Sequence, residues 1–184
     1  MSAASDNRIV TLVLGGACSG KSAYAERLVE AHAGTHIFVA TAEPGDGEMA
    51  ERIARHRARR GGRWRTVEEP LALAQAVRAA AQPGSGVLVD CLTIWLSNLL
   101  LAGRDVEAEM AGLIDALDDV NGPVVLVSNE VGLGIVPENA LARAFRDHAG
   151  RLNQMVAQAA DRVVMVAAGL PMILKPASEL EMSA

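Results

Sequence analysis

Short apolar runs alternate along this chain with longer segments whose apolar positions recur every three or four residues. Ile9–Leu14, His36–Thr41 (HIFVAT), Gly86–Asp90 (GVLVD), Pro123–Ser128 (PVVLVS) and Arg162–Ala167 (RVVMVA) read as buried strands, and Trp64–Val67 as a shorter one. Between them the spacing predicts helices over Lys21–Ala31, Pro70–Ala81, Thr93–Leu101, Val106–Asp119 and Ala140–Ala160. Proline at position 70 suits a first helical turn. A charged amphipathic helix is expected from Glu48 to Arg60, between the glycine-containing loop Pro44–Gly47 and the stop Gly61-Gly62. Strands too apolar to alternate, separated by helices, imply an α/β fold with a mainly parallel sheet covered on both faces. The whole chain, 1–184, is expected to form one domain, with residues 1–7 and those beyond about Lys175 as loose tails.

The junction of the first strand and first helix carries the chemistry. Gly15-Gly16-Ala17-Cys18-Ser19-Gly20-Lys21-Ser22 fits the phosphate-loop pattern G-x-x-x-x-G-K-[ST] and stands after a buried strand and before a helix, as the mechanism requires. Glycines let the backbone wind so that successive N–H groups face phosphate oxygens, and the helix N-terminus adds partial positive charge. Lys21 can bridge the β- and γ-phosphates, and the Ser22 hydroxyl can ligate Mg²⁺. A nucleoside triphosphate is therefore the expected ligand.

Composition narrows the setting. Residues are 51% apolar but only 3% aromatic, so the core is expected to be aliphatic. A net charge of −5 argues against a general nucleic-acid binder. Seven arginines nevertheless cluster at positions 52, 55, 57, 59, 60, 63 and 65, a local patch suited to a small anion. Cys18 and Cys91 offer neither a disulfide framework nor metal-ligand spacing. The N-terminal residues lack the apolar centre of a signal peptide, and the apolar runs are too short for a bilayer, so a cytoplasmic enzyme is expected.

Ligands of parallel sheets collect at the C-terminal ends of the strands, which draws scattered residues into one site. Asp90 closes a strand and matches the acid that supports Mg²⁺ in phosphate-loop enzymes; an ordinary helix cap is the other role for such a residue. Ser128-Asn129-Glu130 closes another strand and opens Val131–Pro137, a stretch apolar enough for a substrate pocket or a subunit contact. Ile94–Leu101 is a second candidate contact. His56 lies among the arginines, sharing a helix face with Arg52, Arg59 and Arg60. Neighbouring cations favour its neutral, nucleophilic form; a solvated surface histidine is the plainer alternative. From the residues alone, a small-molecule kinase or a nucleotide-dependent binding module also fits.

Several segments together carry a family resemblance: LVLGGACSGKSAYAE, FVATAEPGDGEMAERIARHRARRGGRWRTVEEP, VLVDCLTIWLSNLL, and the long stretch from VVLVSNEVGLGIVPEN to VVMVAAGLP. The chain resembles the bifunctional adenosylcobinamide kinase/adenosylcobinamide-phosphate guanylyltransferases of cobalamin biosynthesis, over most of Val10 to Pro171. The resemblance implies a P-loop NTPase fold of the RecA-like type and two reactions. One phosphorylates adenosylcobinamide with ATP or GTP. The other transfers GMP from GTP to adenosylcobinamide phosphate through a guanylylated histidine, which falls on His56. Thr41, Arg57, Glu68 and Asp90 are implied around the guanine nucleotide, Ser22 and Asp90 at Mg²⁺, and Lys21 in catalysis. A homo-oligomer, a trimer, is implied as well. Cys18 departs from the family, where arginine is common at that position, and is expected to serve through its backbone N–H.

Overall fold

The computed structural model describes residues 8–42 and 63–176. The expected helix Glu48–Arg60, the loops flanking it, His56 and Arg57 lie outside the described residues, as do the chain ends.

Seven strands form one sheet: β1 Val10–Gly15, β2 Thr35–Ala40, β3 Trp64–Glu68, β4 Ser85–Asp90, β5 Val124–Asn129, β6 Arg162–Ala167 and β7 Leu170–Lys175. Their spatial order is β3-β2-β4-β5-β1-β6-β7. The first six run parallel and β7 pairs antiparallel with β6. The described helices are α1 Lys21–Glu30, α2 Leu73–Ala80, α3 Leu92–Leu101, α4 Val106–Asp118 and α5 Ala140–Ala159.

Alternation along each strand sorts the core into two layers. Leu12, Val87, Val89, Val124 and Leu126 pack with Val77, Trp95, Leu99, Leu113 and Leu152 on the face bearing α2–α5. Val13, Leu88, Val125, Val127, Val164 and Val166 meet Ala25 and Val29 of α1 on the other. Because both faces are covered, every position of β1 is buried, which explains its unbroken apolar sequence. Trp95 anchors the larger layer: it is fully buried, and its indole N–H donates to the Leu71 carbonyl at 2.8 Å. The apolar α3 is therefore core. Of the anticipated contact surface Ile94–Leu101, Trp95, Leu96 and Leu99 have no exposure, whereas Leu101 is 77% exposed.

Three other expectations change. The helix expected from Pro70 begins at Leu73, because the Glu69 carboxylate accepts the Leu71 and Ala72 N–H groups and holds the preceding residues in a turn. The strand expected to end in Thr41 ends at Ala40. And Arg162–Ala167 is not the last strand. Ala168 and Gly169, with φ of 52° and 79°, make a two-residue hairpin connection into β7. Positive φ at both central positions is what the twist of a two-residue hairpin demands. Pro171 is tolerated because β7 lies at the sheet edge. The Lys175 ammonium then donates to the Ala157, Gln158 and Ala160 carbonyls at the C-terminal end of α5, so the hairpin is held at its far end too.

Candidate active site

All six parallel strands present their C-terminal ends at one edge of the sheet. β1, an interior strand between β5 and β6, delivers Gly15 into the phosphate loop. The Gly15 carbonyl accepts the Glu130 N–H at 3.1 Å, tying the loop's first residue to the end of β5. A Cβ on Gly15 would stand 2.4 Å from Ser19 Oγ and 2.6 Å from the Val166 carbonyl oxygen, so glycine is obligatory there. Within the loop, Ser19 N–H donates to the Gly16 carbonyl at 3.3 Å, and Lys21 Nζ reaches back to the same carbonyl at 3.1 Å. Lys21 is 6% exposed, an ammonium folded across the loop, whereas Gly16, Ala17, Cys18 and Gly20 are open to solvent. Cys18 takes φ 56°, a left-handed conformation uncommon for a residue with a Cβ.

α1 starts directly from this loop. Its N-cap is Gly20, with φ 94°; no side chain caps it and no acid occupies its first turn. By contrast, Asp105 caps α4 and Asn139 caps α5 by accepting N–H groups on their side-chain oxygens. The helix that faces the site thus keeps its first N–H groups for an external acceptor, and a phosphate is the natural one. Ser22, in the first turn of α1, is half-buried.

Asp90 ends β4, beside Ala40 of β2 and Val127 of β5. One strand, β5, stands between it and β1. The N-cap of α3 is Cys91, with no side-chain cap, so the Asp90 carboxylate is not consumed as a helix cap. Burial and then the adjacent Asp90 carboxylate push the Cys91 thiol above its usual range, while the Thr93 hydrogen bond and the Lys21 ammonium act the other way. One thiol therefore senses both the acid at the end of β4 and the lysine of the phosphate loop.

Thr41, expected at this edge of the sheet, has hydrogen-bond partners that the sequence pattern did not reveal. It has no exposure, and its hydroxyl is engaged twice by the Cys91 backbone, donating to the carbonyl and accepting from the N–H at 2.8 Å each. Asn98 completes the staple by donating to the Thr41 and Pro70 carbonyls. Thr41 thereby fixes the Asp90–Cys91 junction rather than presenting a free hydroxyl. Thr93 and Asn129 join the same polar layer, with Asn129 Nδ2 donating to Thr93 Oγ1 at 2.7 Å. Glu68 ends β3 at the sheet margin, exposed and four strand positions from β1, about 19 Å at the usual strand spacing. The structure thus gathers Gly15–Ser22, Asp90 and Glu130 along the central edge and leaves Glu68 at its margin. Also outside the sequence reading was the hairpin: Gly169 N–H donates to the Ser19 carbonyl at 2.8 Å. The Ala-Gly pair before an apolar run was its sequence signal.

Among the described residues, no cluster of three or more His, Cys, Asp or Glu is placed to hold a metal, and no helix is long and apolar enough to cross a membrane.

Known proteins resemble this chain in fold and in sequence. The flagellar accessory protein FlaH of Methanocaldococcus jannaschii superposes with a TM-score of 0.54 over 93% of this chain and 80% of its own, at 13% identity. That likeness is one of fold and agrees with the RecA-like, P-loop class expected from the sequence. The bifunctional adenosylcobalamin biosynthesis protein CobP of Pseudomonas aeruginosa is 51% identical over 89% of this chain and 96% of its own. The corresponding CobU proteins of Escherichia coli and Salmonella typhimurium are 42% and 41% identical, over 91% of this chain and all of theirs. The family model for cobinamide kinase / cobinamide phosphate guanyltransferase matches residues 11–174, from the second residue of β1 to within a residue of the end of β7. With sequence, fold and phosphate loop in agreement, the chain belongs to the cobinamide kinase / cobinamide phosphate guanyltransferase family.

Proposed function

We propose that this chain phosphorylates adenosylcobinamide with a nucleoside triphosphate and then transfers GMP from GTP to the product, yielding adenosylcobinamide-GDP and pyrophosphate. The observation that carries the reading is the complete phosphate loop, with Lys21 folded over it and an uncapped α1 behind it, inside a chain matched to the family over residues 11–174. In the kinase step the substrate hydroxyl oxygen attacks the γ-phosphorus and the nucleoside diphosphate departs. Lys21 leaves the Gly16 carbonyl to hold the β- and γ-phosphates, and the loop N–H groups take the remaining oxygens. Glu130, whose N–H is bonded to the Gly15 carbonyl, and Asp90 are candidate bases.

In the guanylyl step a nitrogen of His56 attacks the α-phosphorus and pyrophosphate leaves, held by the same loop. The phosphate of the corrinoid then attacks the guanylylated histidine, taking GMP and restoring His56. Arg57, Thr41 and Glu68 complete the proposed nucleotide surroundings, Thr41 through its hold on Asp90–Cys91.

The donors at this edge fit Mg²⁺: a hydroxyl at Ser22 and a carboxylate at Asp90 that caps no helix, the hard oxygens this ion prefers. Bound there with the nucleotide, the ion would neutralise charge on the phosphates. A cytoplasmic homo-oligomer, a trimer, is part of the same proposal, with no nucleic-acid partner. Leu133, Ile135 and Val136, exposed at 85%, 97% and 60%, support an apolar contact in the segment after β5, for a second subunit or for the corrinoid.

The test is GTP labelled at the α-phosphate. Acid-labile, base-stable label on the protein, absent from His56→Ala, is expected. His56→Ala keeps the kinase activity, whereas Lys21→Ala loses both reactions. A wild-type protein that takes no label while phosphorylating cobinamide would reduce the activity to that of a kinase.

A further inference from the structure

Nothing in the fold of a phosphate loop requires a hairpin from the other end of the chain, yet here one touches it. Gly169 N–H donates to the Ser19 carbonyl at 2.8 Å, and a Cβ on Gly20 would come within 3.1 Å of Gly169 Cα. Val166, the next-to-last residue of β6, supplies the carbonyl that crowds Gly15. Of the bonds within the loop, Ser19 N–H to Gly16 is long at 3.3 Å, and the Ser19 carbonyl finds its partner in the hairpin. In a trans peptide the carbonyl and the following N–H point in opposite directions. Holding the Ser19 carbonyl on the hairpin side therefore turns the Gly20 N–H away from the hairpin. The exposed residues 16–18 lie along the same loop, and the Gly20 N–H is one of the donors a phosphate loop presents.

We propose that the Ala168–Gly169 turn is a positioning element of the phosphate loop: it fixes the Ser19–Gly20 peptide plane so that the Gly20 N–H is aimed at nucleotide phosphate before the nucleotide arrives. The inference rests on the nucleotide reading above. The hairpin is suited to the task because both ends are held, the turn on Ser19 and Lys175 on the last carbonyls of α5. Its geometry depends on left-handed backbone at Ala168 and Gly169. A Cβ added to Gly169 meets nothing within 4 Å, so substitutions there report the backbone preference of the new residue and not a clash.

That property makes a graded series decisive. Full-length Gly169→Asn, Gly169→Ala and Gly169→Val are compared for Mg·GTP affinity by equilibrium dialysis, for KM and kcat in the kinase reaction, and for unfolding midpoint without nucleotide. Tolerance of left-handed φ falls in the order Gly, Asn, Ala, Val. Affinity should fall in that order, reaching about tenfold weaker in Gly169→Val, with KM rising by a similar factor and kcat changing less. Asn thus serves as the rescuing replacement. If Gly169→Val fails to fold, the Asn and Ala pair decides. Affinities equal across the series, with only the unfolding midpoint moving, would make the turn a plain sheet-edge connection and overturn the proposal. Wild-type protein that binds no GTP would instead remove the nucleotide reading, and the positioning role with it.

Discussion

Replacing Thr41 by valine separates a nucleotide ligand from a structural staple. Thr41 has no exposure, and its hydroxyl accepts the Cys91 N–H and donates to the Cys91 carbonyl, both at 2.8 Å. Valine has almost the same shape, so no cavity opens. What remains is a buried N–H without an acceptor, at a cost of about 1–3 kcal/mol, and a lost donation worth about 0.5–1.5 kcal/mol. Together these give about 2–4 kcal/mol, against a total stability of about 5–15 kcal/mol for a typical domain. For a chain of this size each kcal/mol moves the midpoint by about 2–4 °C, so thermal unfolding of Thr41→Val should fall by about 4–16 °C. Thr41→Ser keeps both hydrogen bonds and loses one methyl, for about 1 kcal/mol. Circular dichroism melts without nucleotide should therefore rank wild type above Ser and Ser above Val. A valine variant as stable as wild type, but with a raised KM for GTP, would place the hydroxyl at the nucleotide and refute the staple.

Gly15→Ala should raise the nucleotide Kd by about 5–150-fold, the equivalent of a 1–3 kcal/mol overpacking cost, because the Val166 carbonyl that its Cβ meets belongs to the strand paired with Gly15. Isothermal titration with GTP measures this, and an unchanged Kd would show that the loop opens freely. Of the two cysteines, only exposed Cys18 should react with Ellman's reagent in the native protein, with both reacting once it is denatured; two fast thiols in the native state would contradict the burial of Cys91. Because the folded state holds the Cys91 proton more tightly than the unfolded chain, its contribution to stability is present below about pH 8.5 and is lost as pH rises beyond it. Urea midpoints between pH 7 and 10 should show a decline that is shallower in Cys91→Ala.

Where the sequence was clear, the reason was redundancy. β1, β4 and β5 are buried on both faces, so their short runs, rich in β-branched Val, read as strands. The phosphate loop was legible because backbone geometry, helix start and lysine must all fall within eight residues. β7 was not: its side chains are largely exposed, it contains Pro171, and its turn uses Ala168 where asparagine or glycine would have announced a left-handed residue. Thr41 was placed at the right edge with a different task, since no spacing rule reveals that a hydroxyl will be taken up by a backbone fifty residues away. The exposed apolar face drawn from Ile94–Leu101 failed because continuous hydrophobicity does not distinguish a surface from a core helix.

The strand order carries a consequence for how the chain folds during synthesis. β1 leaves the ribosome well before its sheet neighbours, β5 at Val124–Asn129 and β6 at Arg162–Ala167. The loop that follows it gains its last contact from Gly169. At about 5–20 residues per second, the phosphate loop waits on the order of ten seconds or more for the hairpin that completes it. Such distant pairings fold slowly, because loop closure precedes any reward from contact. The earliest-made part of the site is thus the last to become competent, and a chain truncated before the hairpin would carry the loop residues without the contact that finishes them.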